Sequence, residues 1–338
     1  MRPRRLRIPL SVVATALVLG ATACGGDPPG EGSQGPAAGP TPTPAAAASV
    51  SAGSAAAAGI SPAQQAANEQ QARAELATDI DQRIAYVQWA FGKDVPMRVE
   101  SDLFVIVAAE KAVAFDAAAD FAQRALDVYL GSFFARRPDR AVTVELVHSA
   151  SAFRLRCAQH SIWTCRDTDL GAYSRSARTI VVKIGPGLPS ISHELVHPLV
   201  QTDFPRIPEW FDEGIGALFE KPVFEPPGEM HGADNWRYDR LVRAVHAAER
   251  AKAQPLPELF EDGDALLDGS GRDTIYAEAR ALCQWLDERG QLWAFYRAWR
   301  ENVTDDPTGE KSFAQVTGMT PSDAGATWLE WAKARRWK

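Results

Sequence analysis

The chain has 338 residues, of which 46% are hydrophobic and 23% charged, enough apolar residues for a substantial buried core. Its net charge is −7, and removal of residues 1–23, which carry four arginines and no acidic residue, would change the charge to −11. Such an acidic chain argues against nucleic acid or an anionic membrane surface as a binding partner.

Residues 1–23 have the layout of a secretory signal, with basic residues followed by an apolar run over 8–19. That run is too short for a stable membrane span. The segment Ala-Thr-Ala-Cys that ends at Cys24 resembles a bacterial lipobox, which implies cleavage before Cys24 and attachment of lipid to it. An ordinary signal cleaved near Ala23 is the alternative. We therefore expect a bacterial lipoprotein, held on the extracytoplasmic face of the cell membrane.

The next segment, 24–63, consists mainly of Gly, Pro, Ala, Ser and Thr and predicts a flexible tether. The soluble domain is then expected over 64–338. Within it, Cys157 and Cys165 flank a short polar segment and suit a disulfide in an oxidising compartment. Cys283 lies in an apolar helical pattern and is predicted to be a buried thiol.

In the folded part, the sequence pattern first indicates both strands and helices and later indicates helices alone. Helices are predicted at 64–91 and 115–134, and strands at 102–108, 141–147 and 171–184, the last as one strand or a hairpin. A further helix carries the segment ISHELVHPLV, and the later helices are predicted at 208–220, 234–252, 274–289, 291–301 and 322–335. This order predicts an α+β fold, in which a small mixed or antiparallel sheet lobe packs on a mainly helical C-terminal lobe with a cleft between them.

The segment ISHELVHPLV, residues 191–200, is the strongest chemical signal in the chain. On a helix, His193 and His197 lie about 40° apart, so both imidazoles can reach one ion. Glu194 is rotated by about 100° from His193 and can serve as a general base instead of a ligand. The alternative is two buried histidines satisfied by hydrogen bonds. Pro198 is expected to end or kink the helix just after His197.

A catalytic zinc needs a third protein ligand, and two residues offer one. Asp203 follows His197 by six residues, the spacing of metzincin-like sites of the HExxHxxGxxD type, although Val200 stands at the glycine position. Glu213 follows His197 by sixteen residues. The other four histidines are interpreted as structural or solvated: His148, His160, His231 and His246.

HELVH followed by PEWFDEGIGALFE resembles the gluzincin, or peptidase-MA, zinc metallopeptidases, whose catalytic domain is thermolysin-like. In that family a second helix carries a glutamate ligand within a W-x-x-E-G signature. The resemblance implies that Glu213 is the third ligand, that Trp210 packs beneath it, and that Gly214 allows close approach of a helix. Asp203 is then a solvated turn residue.

The acid at Glu220 also falls where the family often has one, and a solvated helix end is the alternative for it. Gly216 departs from the family's usual alanine. The segment 171–184 resembles the edge strand that pairs with extended substrate. YAEARALCQWL resembles the helix whose tyrosine stabilises the oxyanion, which makes Tyr276 the catalytic candidate beside Glu194. A tyrosine without a catalytic role is the alternative.

Together these features predict a zinc-dependent peptidase with one Zn²⁺ per chain and a peptide or protein substrate. An endopeptidase is expected, because the G-x-M-E-N segment of the large gluzincin aminopeptidases does not occur before the zinc helix. Two alternatives stay open. One is a lipid-anchored, non-catalytic binding protein with a peptidase-like fold, and the other is a metzincin-like protease that uses Asp203.

Overall fold

The computed structural model describes residues 61–162, 165–166, 168–251, 255–269 and 271–335. The predicted signal, Cys24 and nearly all of the predicted tether lie outside these residues. In the described part of the chain, every helix is too short or too polar to cross a membrane.

A five-stranded mixed sheet occupies the first half of the domain. Its strands are β1 (Met97–Glu100), β2 (Phe104–Ala108), β3 (Val142–Val147), β4 (Gly171–Ser174) and β5 (Thr179–Lys183). They lie in the order β1-β2-β3-β5-β4, with β2, β3 and β5 parallel and the two outer strands antiparallel to their neighbours. The predicted segment 171–184 is therefore a hairpin whose first strand, β4, is an edge of the sheet.

Helices flank this sheet and make up nearly all of the second half. The first three are α1 (Pro62–Phe91), α2 (Phe115–Val128), which continues into a π-helical turn at Tyr129–Phe133, and α3 (Ala150–Gln159). The later ones are α4 (Pro189–Asp203), α5 (Glu209–Leu218), α6 (Tyr238–Ala251), α7 (Pro255–Leu267), α8 (Arg272–Asp287), α9 (Leu292–Asn302), α10 (Glu310–Thr317) and α11 (Pro321–Ala334). A small hairpin of β6 (Pro222–Val223) and β7 (His231–Gly232) follows α5.

Side chains alternate across the sheet and bury both of its faces. On β2, Phe104 and Ile106 pack into the largest cluster of buried hydrophobic residues, the main core. Val105 and Val107 pack instead with Val87 of α1. The same alternation continues on β3 and β5, so that α2 and α4 cover one face while α1 and α3 cover the other. A strand that is buried on both faces has an unbroken apolar sequence. The apolar run FVIVA therefore predicts the strand β2.

Aromatic side chains lock α5 into the helical half. Trp210 and Phe211 at its start pack against Trp299 and Phe295 of α9, and Trp210 also packs against Phe260 of α7, with ring centroids 5.2 to 5.8 Å apart. All five are buried. Rigid aromatic packing of this kind fixes the position of the helix that carries Glu213.

The predicted α+β class, with a small mixed sheet and mostly helical content, is confirmed. The elements that sequence reasoning missed are β1, α3, β6, β7, α7 and α10. All are short or poorly patterned: α3 buries only Phe153 and Cys157, and α7 contains two prolines and a glycine. Periodicity over so few turns carries little signal.

Of the two effects expected of Pro198, ending or kinking α4, the first is wrong, because the helix continues to Asp203. A proline inside a helix removes one hydrogen bond and costs about 3 kcal/mol. Here Leu199 and Val200 beyond it are fully buried in the main core. Burial of two such side chains contributes roughly 3–6 kcal/mol, which offsets the loss.

Cys157 of α3 and Cys165 form the predicted disulfide, and Cys283 is a buried free thiol. Next to the disulfide, Glu145 of β3 is fully buried and accepts hydrogen bonds from Arg156 Nε at 2.6 Å and Nη2 at 2.5 Å. The Nε2 atom of His160 lies 3.0 Å from Glu145 Oε1. Burial opposes ionisation of Glu145, but the bonds to His160 and Arg156 outweigh it and lower the pKa of the carboxyl.

We expect Glu145→Gln to lower the free energy of unfolding by about 3–5 kcal/mol, because the change leaves the Arg156 guanidinium without its buried counter-charge. Chemical denaturation followed by circular dichroism measures the loss. Glu301→Gln, at an exposed position, should change stability by less than about 0.5 kcal/mol. An equal effect of the two substitutions would contradict the assignment.

Candidate metal centre

Buried hydrogen bonds hold the histidine helix α4 against its neighbours. Tyr129 donates to the Ser192 carbonyl at 2.9 Å, and the Ser192 hydroxyl donates to the Phe219 carbonyl at the end of α5 at 2.6 Å. These bonds flank the position of His193. The helix is buried on all sides from Ser190 to Val200, so its two histidines lie inside the protein.

His193 and His197 project from one face of α4, as their spacing predicts. Their ring centroids are 5.1 Å apart and the ring planes are inclined by 70°. One potential ligand atom from each of His193, Glu194 and His197 lies within 4.8 Å of the others, and all three residues are buried. This buried group could hold a metal ion.

Carboxylate oxygens lie close to the ring nitrogens of both histidines. Nδ1 of His197 lies 2.9 Å from Asp212 Oδ1 and shares a hydrogen bond with it. Nδ1 of His193 lies 3.3 Å from Glu220 Oε1, an ion-pair contact without hydrogen-bond geometry. The other nitrogen of His193, Nε2, lies 3.2 Å from Glu213 Oε2. A carboxylate hydrogen-bonded to Nδ1, as at His197, fixes the ring orientation and leaves Nε2 available, an arrangement that recurs around metal-binding histidines.

Glu220 is a buried residue, so the alternative of a solvated helix end is wrong. Arg237 donates to its two oxygens from Nε at 2.8 Å and Nη2 at 2.6 Å, and Asn235 donates to Oε2 at 3.0 Å. Neither partner had a sequence signal, because the chain returns to Glu220 only through the β6–β7 hairpin.

The pKa values show how strongly these charges depend on one another. Burial opposes the ionisation of Glu213 and Glu220, but hydrogen bonds from His193 and Arg237 outweigh it and lower both pKa values to about 2. Burial also opposes protonation of the histidines. Their carboxylate neighbours nevertheless raise the pKa of His193 well above its usual value and that of His197 to about 9.

Glu194 differs from the other acids of the site. Burial raises the pKa of its carboxyl to about 7, against the opposing charges of His193 and His197. Its Oε2 atom is buried and makes no hydrogen bond with the described residues. A Cβ atom at Gly171 of β4 would lie 2.4 Å from both Cγ and Oε1 of Glu194, so the glycine leaves the space that this side chain occupies.

Tyr276, on α8, is half-buried beside the third carboxylate. Arg272 donates from Nη2 to its hydroxyl oxygen at 3.0 Å. Burial and the charge of Glu213 raise the pKa of the phenol, and an interaction with the hydroxyl helps to lower the pKa of Glu213. The tyrosine therefore keeps its proton and can donate it in a hydrogen bond at the edge of the site.

Two glycines of α5 allow these close approaches. A Cβ atom at Gly214 would lie 3.1 Å from the Ala279 backbone and from Cys283 Sγ of α8, which confirms the predicted helix contact. A Cβ atom at Gly216 would lie 3.1 Å from Cε1 and Nε2 of His193. Glycine at 216, the departure from the family pattern, makes room for the imidazole.

Asp203 lies at the end of α4 and is fully buried, so the expectation of a solvated turn residue is wrong. Its Oδ1 accepts from the Arg136 backbone N–H at 2.8 Å. Its Oδ2 accepts from Tyr296 at 3.0 Å and from Arg300 at 2.6 Å. These contacts tie α4 to α9 and occupy both oxygens of the residue that was the alternative ligand.

The donor set fits a divalent cation. Two imidazoles and the Glu194 carboxylate have potential ligand atoms within 4.8 Å of one another, and the Glu213 carboxylate lies 3.2 Å from His193 Nε2. Glu194 Oε2 makes no hydrogen bond with the described residues. An ion that binds both ring nitrogens would replace protons that the histidines otherwise need to balance this negative charge. Neither a scan against protein-family models nor a search of curated proteins finds a match for this chain.

We expect metal binding at pH 7 to release on the order of two protons, one from each imidazole, because a ligating ring nitrogen must be unprotonated. The pKa of His193 is well above 6.5 and that of His197 is about 9, so affinity should increase as the pH rises from 6 toward 9. Titration calorimetry in buffers of different ionisation enthalpy measures the release. Metal binding without proton release would contradict the buried, protonated histidines.

Proposed function

We propose that the protein is a zinc-dependent peptidase, in which His193, His197 and Glu213 hold one Zn²⁺. The observation that carries the proposal is the buried pair of imidazoles on α4, with Glu194 beside it and the Glu213 carboxylate 3.2 Å from His193 Nε2. Two histidines and one carboxylate are a donor set that suits catalytic zinc, which keeps a position open for water or substrate.

Glu194 is the general base in this proposal. When bound, zinc supplies Lewis-acid chemistry, since it lowers the pKa of water and polarises a carbonyl group. The free Oε2 atom of Glu194 can accept a proton from water and return it to the leaving amine.

Tyr276 is the candidate donor for the developing oxyanion. Its hydroxyl lies by Glu213 and keeps its proton, and Arg272 donates to its oxygen at 3.0 Å. Preorganised donors of this kind lower the energy of a charged transition state. The roles of Asp212 and Glu220 are then to hold the two imidazoles in position.

Strand β4 supports a peptide as the substrate. Within the described residues it pairs on one side only, with β5, and its first residue, Gly171, touches Glu194. An exposed sheet edge can bind an extended peptide through backbone hydrogen bonds. A peptide bound along β4 would lie close to the general base.

The proposed location is the outer face of a bacterial cell membrane, with a lipid on Cys24. This part of the proposal rests on the sequence of residues 1–24. The disulfide between Cys157 and Cys165 supports it, because such bonds persist in oxidising, extracytoplasmic compartments.

We expect Glu194→Gln to reduce hydrolysis of a peptide library by at least about 100-fold, because loss of a general base typically costs 10²–10⁴-fold. Zinc content, measured by mass spectrometry, should remain about one ion per chain. Glu75→Gln, on the exposed face of α1, should retain full activity. Unchanged hydrolysis in the Glu194 variant would refute the mechanism, and a zinc-loaded wild-type protein without hydrolysis would instead favour the binding protein.

The third ligand is tested by Glu213→Gln and Asp203→Asn. We expect the first to weaken zinc binding by more than about 100-fold, beyond the 10–100-fold typical of residues that only orient ligands. The second should retain zinc but lose about 3 kcal/mol of stability, because Arg300 is left without its buried partner. Chelator competition and chemical denaturation measure the two effects, and the reverse pattern would favour Asp203 as ligand.

A further inference from the structure

Arg237 makes a two-pronged contact with the acid behind His193. Its Nε and Nη2 atoms donate to separate oxygens of Glu220, at 2.8 and 2.6 Å, and Glu220 Oε1 lies 3.3 Å from His193 Nδ1. The Arg237 side chain is 22% exposed and that of Glu220 is 6% exposed. A paired guanidinium fixes the plane of a carboxylate as well as its position, which a lysine cannot do.

The chain is folded back so that Arg237 can make this contact. Between Glu220 and Asn235, the β6–β7 hairpin closes the loop, and the Ala233 N–H donates to the Lys221 carbonyl at 2.9 Å. Asn235 is fully buried, donates to Glu220 and accepts from the Arg237 backbone N–H at 3.0 Å. The loop therefore returns two donors to one buried carboxylate.

Arg237 also faces the other side of the candidate centre. Its guanidinium carbon lies 4.9 Å from the centroid of the Tyr276 ring, within the range of cation–π contacts. The guanidinium of Arg272 lies 5.3 Å from the same ring. Arg237 therefore links the carboxylate that meets His193 with the aromatic ring beside Glu213.

We propose that Arg237 is a positioning residue for the metal centre. By holding the plane of Glu220, which forms an ion pair with His193 Nδ1, it would fix the orientation of the His193 ring and keep Nε2 available to a metal. The inference rests on the zinc site of the proposed function and extends it to a residue with no ligand atom. Because Arg237 acts through Glu220, its effect must disappear once Glu220 no longer carries the carboxylate.

The test is a double-variant cycle in zinc affinity, measured by chelator competition on proteins that circular dichroism shows to be folded. We expect Arg237→Met and Glu220→Gln each to weaken binding by about 10–100-fold. Adding Arg237→Met to Glu220→Gln should change affinity by less than about 3-fold, since residues that share one interaction are not additive. Arg237→Lys should restore only part of the affinity.

Two controls separate positioning from loss of stability. Glu145→Gln, a destabilising change on the opposite face of the sheet, should leave zinc affinity within about 3-fold of wild type. Arg240→Met, which removes an exposed ion pair with Asp273, should do the same.

Several results would overturn the proposal: unchanged affinity in folded Arg237→Met, multiplicative losses in the double variant, or full affinity in Arg237→Lys. Failure of the proposed function looks different. If the wild-type protein binds zinc but hydrolyses no peptide, the proposed peptidase function is wrong. The double-variant cycle in zinc affinity can still be measured in that case. Wild-type protein that binds no zinc would overturn both.

Discussion

Charge compensation in a buried space is the constraint on which the candidate centre depends. Its acids and bases are His193, Glu194, His197, Asp212, Glu213 and Glu220. Each carboxylate is costly to bury alone, and each imidazole gains its raised pKa from the carboxylates around it. A divalent cation relieves the same excess of negative charge that otherwise keeps two protons on the histidines. The surrounding architecture holds these groups together.

Close helix contact brings the acids to the histidines. Helix α5 carries Asp212 and Glu213 and packs between α4 and α8, which its glycines at 214 and 216 permit. Aromatic packing at its start anchors it to α7 and α9. A larger residue at either glycine would press on the helix or the ring that defines the site. The precision of the centre therefore rests on packing, and charge alone would not supply it.

The edge of the sheet forms the other side of the candidate centre. Strand β4 places Gly171 against Glu194, and the disulfide of Cys157 lies in the segment that leads into this strand. Helix α4 lies under β4 and β5 and stays helical through Pro198 because the residues beyond it are buried. Glu194, the sheet edge and the histidine helix thus share one packed interface.

The sequence by itself determined the local features: the α+β order, the disulfide, the buried strands and the shared face of His193 and His197. These follow from periodicity and spacing within one element, which short-range geometry dictates. The extension of α4 beyond Pro198, the burial of Asp203 and the return of Arg237 to Glu220 were decided only by the tertiary structure. Each depends on contacts between residues distant in the chain, whose energy outweighs local preference and leaves no pattern in the sequence.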